Sequence, residues 1–195
     1  MAITLPALNT PILVDAMTWR EFKATEQLLD RPGVRLSFLD GVLEIRHMPG
    51  EQHETIKERI GALLELYLLQ LGIDYTPTGS MTLESESGLV KREADKSYKL
   101  GAHRSQPDLV IEVIVTSGGI NKLEAYRRLN IPEVWFWENG QLDIYQLSTD
   151  ATAPSYDRSA TSKLLPQLDI PQFLTCVNMA KHIDAIRAFQ QSLLT

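Results

Sequence analysis

An α/β fold, a central mixed sheet flanked by helices, is what the residue pattern of this chain predicts, and three observations carry it. Helical and extended patterns alternate in the order helix, strands, helix, strands, helix. Two strong turn signals, Asp40-Gly41 and Asn139-Gly140, each sit between short apolar runs and mark hairpins. The segment PDLVIEVIV (107–115) is apolar at nearly every position, as in a strand buried on both faces.

In chain order, residues 1–17 read as an irregular arm. Thr18 to Leu29 is a short helix with Trp19, Phe22 and Leu29 inward, ended by Arg31-Pro32-Gly33. Residues 36–48 form the first hairpin. A long helix follows from Glu51 to Leu71, because Ile56, Ile60, Leu63, Leu64, Tyr67 and Leu71 recur on one face. Glu51 and Glu54 suit its first turn, and Gly72 closes it. Ile73 to Val115 reads as strands: one run over 73–83, then EADKSYKL, then PDLVIEVIV. A helix of about ten residues follows Ser117-Gly118-Gly119 and ends near Pro132. The second hairpin comes next, residues 148–170 are loop with a little strand, and a terminal amphipathic helix runs from about 177 to 193.

The 195 residues suit one domain, 1–195, better than two. A hydrophobic fraction of 44% excludes a disordered chain. The formal charge of −6 argues against non-specific nucleic-acid binding by the whole surface, though it leaves room for a local basic patch. The lone cysteine, Cys176, allows no internal disulfide and suits a reducing compartment. No apolar run reaches the ~18 residues of a membrane span, and the N-terminus lacks the basic start of a leader. A cytoplasmic protein without membrane contact is expected.

The chemistry starts with Glu112. Strand parity puts Leu109, Ile111, Val113 and Val115 on one apolar face, and Glu112 mid-strand on the other. An unpaired carboxylate there would cost several kcal/mol, of the order given for buried charges. Glu112 is therefore either a metal ligand or a glutamate paired with an arginine or an amide. Asp95 interrupts the preceding extended segment; if the two strands pair, both carboxylates could share a hard cation such as Mg²⁺. Asp108 is the second choice, since four strand residues, about 13 Å, separate it from Glu112. Lys122 opposes the dipole near a helix start yet shares a face with Ala125, Tyr126 and Leu129, so it is a candidate to position water and steady developing charge, or a surface lysine. His53, on the inward face of the long helix, is a weak general base, a group behind the ligands, or structural. Glu44 points the same way, with its partner out of sight. Lys91, Arg92, Lys96, Lys99, His103 and Arg104 gather around Asp95 and could hold a phosphate backbone, or form a solvated loop.

The runs LEIRHMPGEQHE (43–54), EADKSY, PDLVIEVIVTSGG, KLEAY and IPEVWFW together resemble the Uma2 family of the PD-(D/E)XK nuclease superfamily, over residues 18 to about 147. The resemblance implies a restriction-endonuclease-like core and metal-dependent phosphodiester cleavage, with Mg²⁺ or Mn²⁺ as cofactor and DNA as the expected partner. EADKSY matches the family's Glu-Pro-Asp segment with Ala94 for the proline, so Asp95 takes the first acidic role and Glu112 the second. The superfamily's lysine position holds Ile114, and Lys122 of KLEAY resembles its displaced replacement. His53 matches a histidine common to the family. The rival reading is a catalytically inactive nuclease fold that binds or interacts, which the acidic charge and displaced lysine favour. A homodimer is expected, because cutting two strands needs two sites and Trp135, Phe136 and Trp137 exceed what one core buries.

Overall fold

Among the described residues the strands fall into two sheets, and each sheet belongs to a separate compact unit. A computed structural model describes residues 10–29, 31–47, 49–101, 105–115, 119–148 and 154–194. The elements are β1 (Ile12–Val14), α1 (Trp19–Leu29), β2 (Val34–Leu39), β3 (Val42–His47), α2 (Glu51–Gln70), β4 (Tyr75–Pro77), β5 (Thr82–Ser85) and β6 (Val90–Glu93). They continue with β7 (Lys96–Leu100), β8 (Leu109–Ile114), α3 (Lys122–Arg128), β9 (Glu133–Glu138), β10 (Gln141–Ser148), β11 (Ser155–Ser159), α4 (Ile170–Val177) and α5 (His182–Ser192). The class is α/β, as expected.

The first unit covers Met1–Pro49, Thr82–Glu93 and Thr116–Leu129. Its antiparallel sheet has the order β1-β3-β2-β6-β5. Asp40 (φ 49°) and Gly41 (φ 87°) both adopt the left-handed conformation that a two-residue hairpin turn requires. Thr18 and Glu21 cap α1 reciprocally: Thr18 Oγ1 accepts from the Glu21 N–H at 3.2 Å, and Glu21 Oε2 from the Thr18 N–H at 2.8 Å. The helix buries Phe22 against Phe38 and Leu43, with the Phe22 and Phe38 rings stacked at 4.7 Å.

The second unit covers Gly50–Met81, Ala94–Val115 and Asn130–Thr195. Its mixed sheet runs β11-β10-β9-β8-β7-β4, with β8 and β9 parallel and the other neighbours antiparallel. The parity argument for β8 holds for three of its four residues: Leu109, Ile111 and Val113 enter one cluster with Ile60, Leu63, Leu64, Tyr67 and Leu68 of α2, whereas Val115 lies past the strand's end and is exposed. Each such aliphatic side chain contributes roughly 1.5–3 kcal/mol by leaving water. Phe173 of α4 and Phe189 of α5 complete the cluster. Arg59, buried on α2, donates to the carbonyls of Val177 (3.0 Å), Met179 and Ala180 (3.3 Å), so it caps the end of α4. Among the described residues no helix is long and apolar enough to cross a membrane.

Several expectations need correction. The run 73–83 is two strands: after a turn with Gly79 at φ 59°, β4 pairs in the second unit's sheet and β5 in the first's. The C-terminal helix expected over 177–193 begins at His182, and a separate helix, α4, precedes it. Asp169 starts α4 by accepting from the Gln172 N–H at 2.9 Å, with Pro171 in the first turn. In α5 the amphipathic pattern buries Phe189 and leaves Ile183 exposed. The helix after Gly119 has seven residues, because Asn121 caps it and Asn130 turns left-handed (φ 55°) after it. The arm is not wholly irregular, since β1 pairs with β3. Leu71 is exposed. Trp135 and Trp137 are buried in their own unit's core and Phe136 is half-buried beside Tyr145, so of the three aromatics only Phe136 is left as a ground for a homodimer.

Candidate active site

The site is built where α2 begins and where β7 meets β8. Gly50 caps α2 with no side-chain bond, and Glu51 and Glu54 supply the first-turn charge instead. His53 lies on the inward face and is 6% exposed. It meets Asp95, two residues after β6 and just before β7: His53 Nε2 lies 3.0 Å from Asp95 Oδ2. The same oxygen accepts the Val113 backbone N–H at 3.0 Å. Ser80 Oγ donates to the Asp95 carbonyl at 3.2 Å. Side chain and backbone of Asp95 are thus both held.

Register explains why Asp95 and Glu112 share a face. Lys96 pairs with Ile111 and Ser97 with Val110, so one step further sets Asp95 across from Glu112. Glu112 is fully buried, opposite Phe136 of β9. Asp95 is 5% exposed. Charges so poorly hydrated act strongly on one another and on any ion between them. Lys96 goes to the other face with Tyr98, over Gly61 of α2, and its amine pairs with Glu58 at 3.1 Å.

The far nitrogen of His53, Nδ1, lies 3.2 Å from Glu54 Oε1. Partial burial pushes the Glu54 carboxyl up, but the hydrogen bond and charge of Lys57, aided by His53, outweigh it and hold Glu54 below its ordinary range. The ring is thereby aimed between two carboxylates. Lys57 was missed in the sequence; its signal is the four-residue spacing from His53 along the buried face. Asp108 is a backbone clasp, its Oδ2 accepting the Leu100 N–H at 2.9 Å.

Asp95, Glu112 and His53 belong to the second unit; Lys122, half-buried, is the first residue of α3 in the first. Three of the expected phosphate-binding cations, Lys91, Arg92 and Lys96, are engaged internally. Lys91 pairs with Glu26, and Arg92, 5% exposed, pairs with Glu44 at 3.3 Å and lies over the Tyr126 ring. Lys99 is half-buried on β7, and Arg104, like His103, lies outside the described residues.

Among the described residues no cluster of three or more His, Cys, Asp or Glu could hold a metal. Two carboxylates nevertheless fit a hard, oxygen-seeking cation such as Mg²⁺, which keeps several waters and takes one or two carboxylates plus substrate phosphate.

A search of curated proteins returns no match. The family model Uma2, described as "Putative restriction endonuclease", matches residues 19–179. The mixed sheet with its flanking helices has the restriction-endonuclease-like arrangement, and the match, which spans most of the chain, brings a nuclease-like function with it. The chain belongs to the Uma2 family.

Proposed function

We propose that this chain is a divalent-metal-dependent endonuclease that hydrolyses phosphodiester bonds of nucleic acid, DNA in the first instance. One observation carries the reading: Asp95, held by His53 and by the Val113 N–H, stands across the strand register from the fully buried Glu112. Asp95 and Glu112 would hold Mg²⁺ or Mn²⁺, which supplies an acidified water and offsets charge on the phosphate. His53 orients the Asp95 carboxylate and is itself oriented by Glu54. We keep Lys122 as the stabilising cation on the strength of the family pattern, and Lys99 and Arg104 as backbone contacts, since Lys91, Arg92 and Lys96 are taken up by carboxylates of the chain itself. Cutting a duplex needs two such sites, so a homodimer is part of the proposal. So is a reducing, cytoplasmic setting, which suits the one cysteine.

The test is plasmid nicking by the purified chain with Mg²⁺ or Mn²⁺, beside Glu112→Gln, Asp95→Asn and Lys122→Ala. Wild type should nick, EDTA should stop it, and the two carboxylate variants should be inactive while folded. Equal cleavage by Glu112→Gln would reject the site. The internal pairing of Lys91, Arg92 and Lys96 leaves fewer cations for a phosphate backbone and favours a second reading, a catalytically inactive nuclease fold kept as a binding or interaction module. Folded protein that never cuts with any divalent metal and gains no stability from one would establish it. Light scattering at micromolar concentration decides the dimer.

A further inference from the structure

Glu44, on β3 of the first unit, is 1% exposed and faces three donors from two directions. Arg46 Nε lies 2.9 Å from Oε1, and Arg92 Nη1 lies 3.3 Å from Oε2. Both arginines belong to the same sheet as Glu44. The third donor does not: the backbone N–H of Ile120, in the turn that enters α3, reaches Oε1 at 3.3 Å. Gly119 lies against this carboxylate. Its φ of +101° disfavours any L side chain, and a Cβ there would stand 1.8 Å from Glu44 Oε1 and 2.5 Å from Arg46 Nη2. Two residues on, Asn121 caps α3 by accepting the Glu124 N–H at 3.0 Å, and Lys122 is the first helical residue.

Pairing with two arginines already gives Glu44 an opposite charge at each oxygen. The contact with the Ile120 amide, and the bare glycine that permits it, are additional. We infer that Glu44 is a positioning residue: it clamps the backbone at the entry to α3 and so sets the place of Lys122. The inference rests on the reading of Lys122 as the reaction's cation. Its physical basis is rigidity. A lysine at position 114 would be fixed by the strand ladder, but here Ile114 stands at the end of β8 and the lysine heads a seven-residue helix. A group that must meet a transition state within about half an ångström needs its backbone held by other means.

The test uses the full chain with Glu44→Gln and, separately, Gly119→Ala, which keeps Glu44 and both arginines should the first variant fail to fold. Hydrogen exchange across 119–129, acylation of the Lys122 amine, and steady-state cleavage are measured together. Both variants should exchange the Ile120 amide about tenfold faster or more, as local opening becomes easier. Lys122 should acylate at an altered rate, and kcat should fall with KM unchanged. In a Lys122→Ala background, Glu44→Gln should lower the rate no further, because the two residues act through one group. Unchanged exchange and labelling in Gly119→Ala would overturn the inference, as would losses that multiply in the double variant. Should wild type cut nothing, the reading of Lys122 fails, while exchange and labelling still decide the clamp.

Discussion

Glu112→Gln keeps the shape of a fully buried side chain and removes one of the two charges proposed to hold the cation. An ion that binds only the folded state stabilises it by RT ln(1 + [M]/Kd), about 2.7 kcal/mol at a hundred times Kd. For a chain of this size each kcal/mol moves the midpoint by roughly 2–4 °C, so wild type should gain about 5–10 °C at saturating Mg²⁺. Loss of an outer-shell partner typically weakens a metal site 10- to 100-fold, and a direct carboxylate should cost at least about 100-fold. At the same metal concentration the variant then retains only RT ln 2, about 0.4 kcal/mol, and a shift of about 1 °C. Scanning calorimetry with and without Mg²⁺, and with Ca²⁺ to block turnover, measures both shifts. An equal gain in Glu112→Gln and wild type would refute shared ligation by this residue, whatever the cleavage assay shows.

His53→Ala removes the close contact of Nε2 with Asp95 Oδ2 and should weaken Mn²⁺ binding about 10- to 100-fold by titration calorimetry; an unchanged Kd would reduce His53 to packing. Glu133 is 1% exposed and accepts from Trp135 Nε1 (2.6 Å), Ser162 Oγ (2.6 Å) and the Lys163 N–H (2.8 Å). Glu133→Ala strands these donors and should cost about 3 kcal/mol or more in urea unfolding, with the metal-linked shift intact. Glu124 is pulled from 4.5 to about 2 chiefly by its hydrogen bond to Arg127, against partial burial, with help from Arg128. A carboxyl depressed on folding contributes its full stability above 4.5 and loses it as pH falls from there through about 2. Solvent screening limits the effect to about 1 kcal/mol. Glu124→Gln should therefore lower stability at pH 6 and leave it nearly unchanged at pH 2, read from denaturant midpoints; an equal loss at both would remove the charge from the explanation.

Features that depend on neighbours in the chain can be read from residue order. Asp40-Gly41 and Asn139-Gly140 could be read as hairpin turns because their left-handed backbone is a local requirement that those residues meet. The long helix was legible from its period, and the burial of Glu112 from strand parity, since both follow from backbone geometry alone. Which segments pair became visible in the folded chain alone. The run 73–83 has one extended pattern, yet β4 and β5 join different sheets, because a ladder is chosen by partners remote in sequence. Helix α4 escaped notice because eight residues carry too little periodicity, although Asp169 and Pro171 marked its start. The charges were least legible. His53 finds Asp95 across 42 positions and Glu44 finds the Ile120 amide across 76, and no local propensity encodes such a meeting. Arginine 92 looked like a surface cation, and the fold buried it beside Glu44. A residue's type states which bonds it can form; the chain's long-range path decides which partner desolvates with it, and that choice turns a carboxylate into a clasp, an ion pair or a ligand.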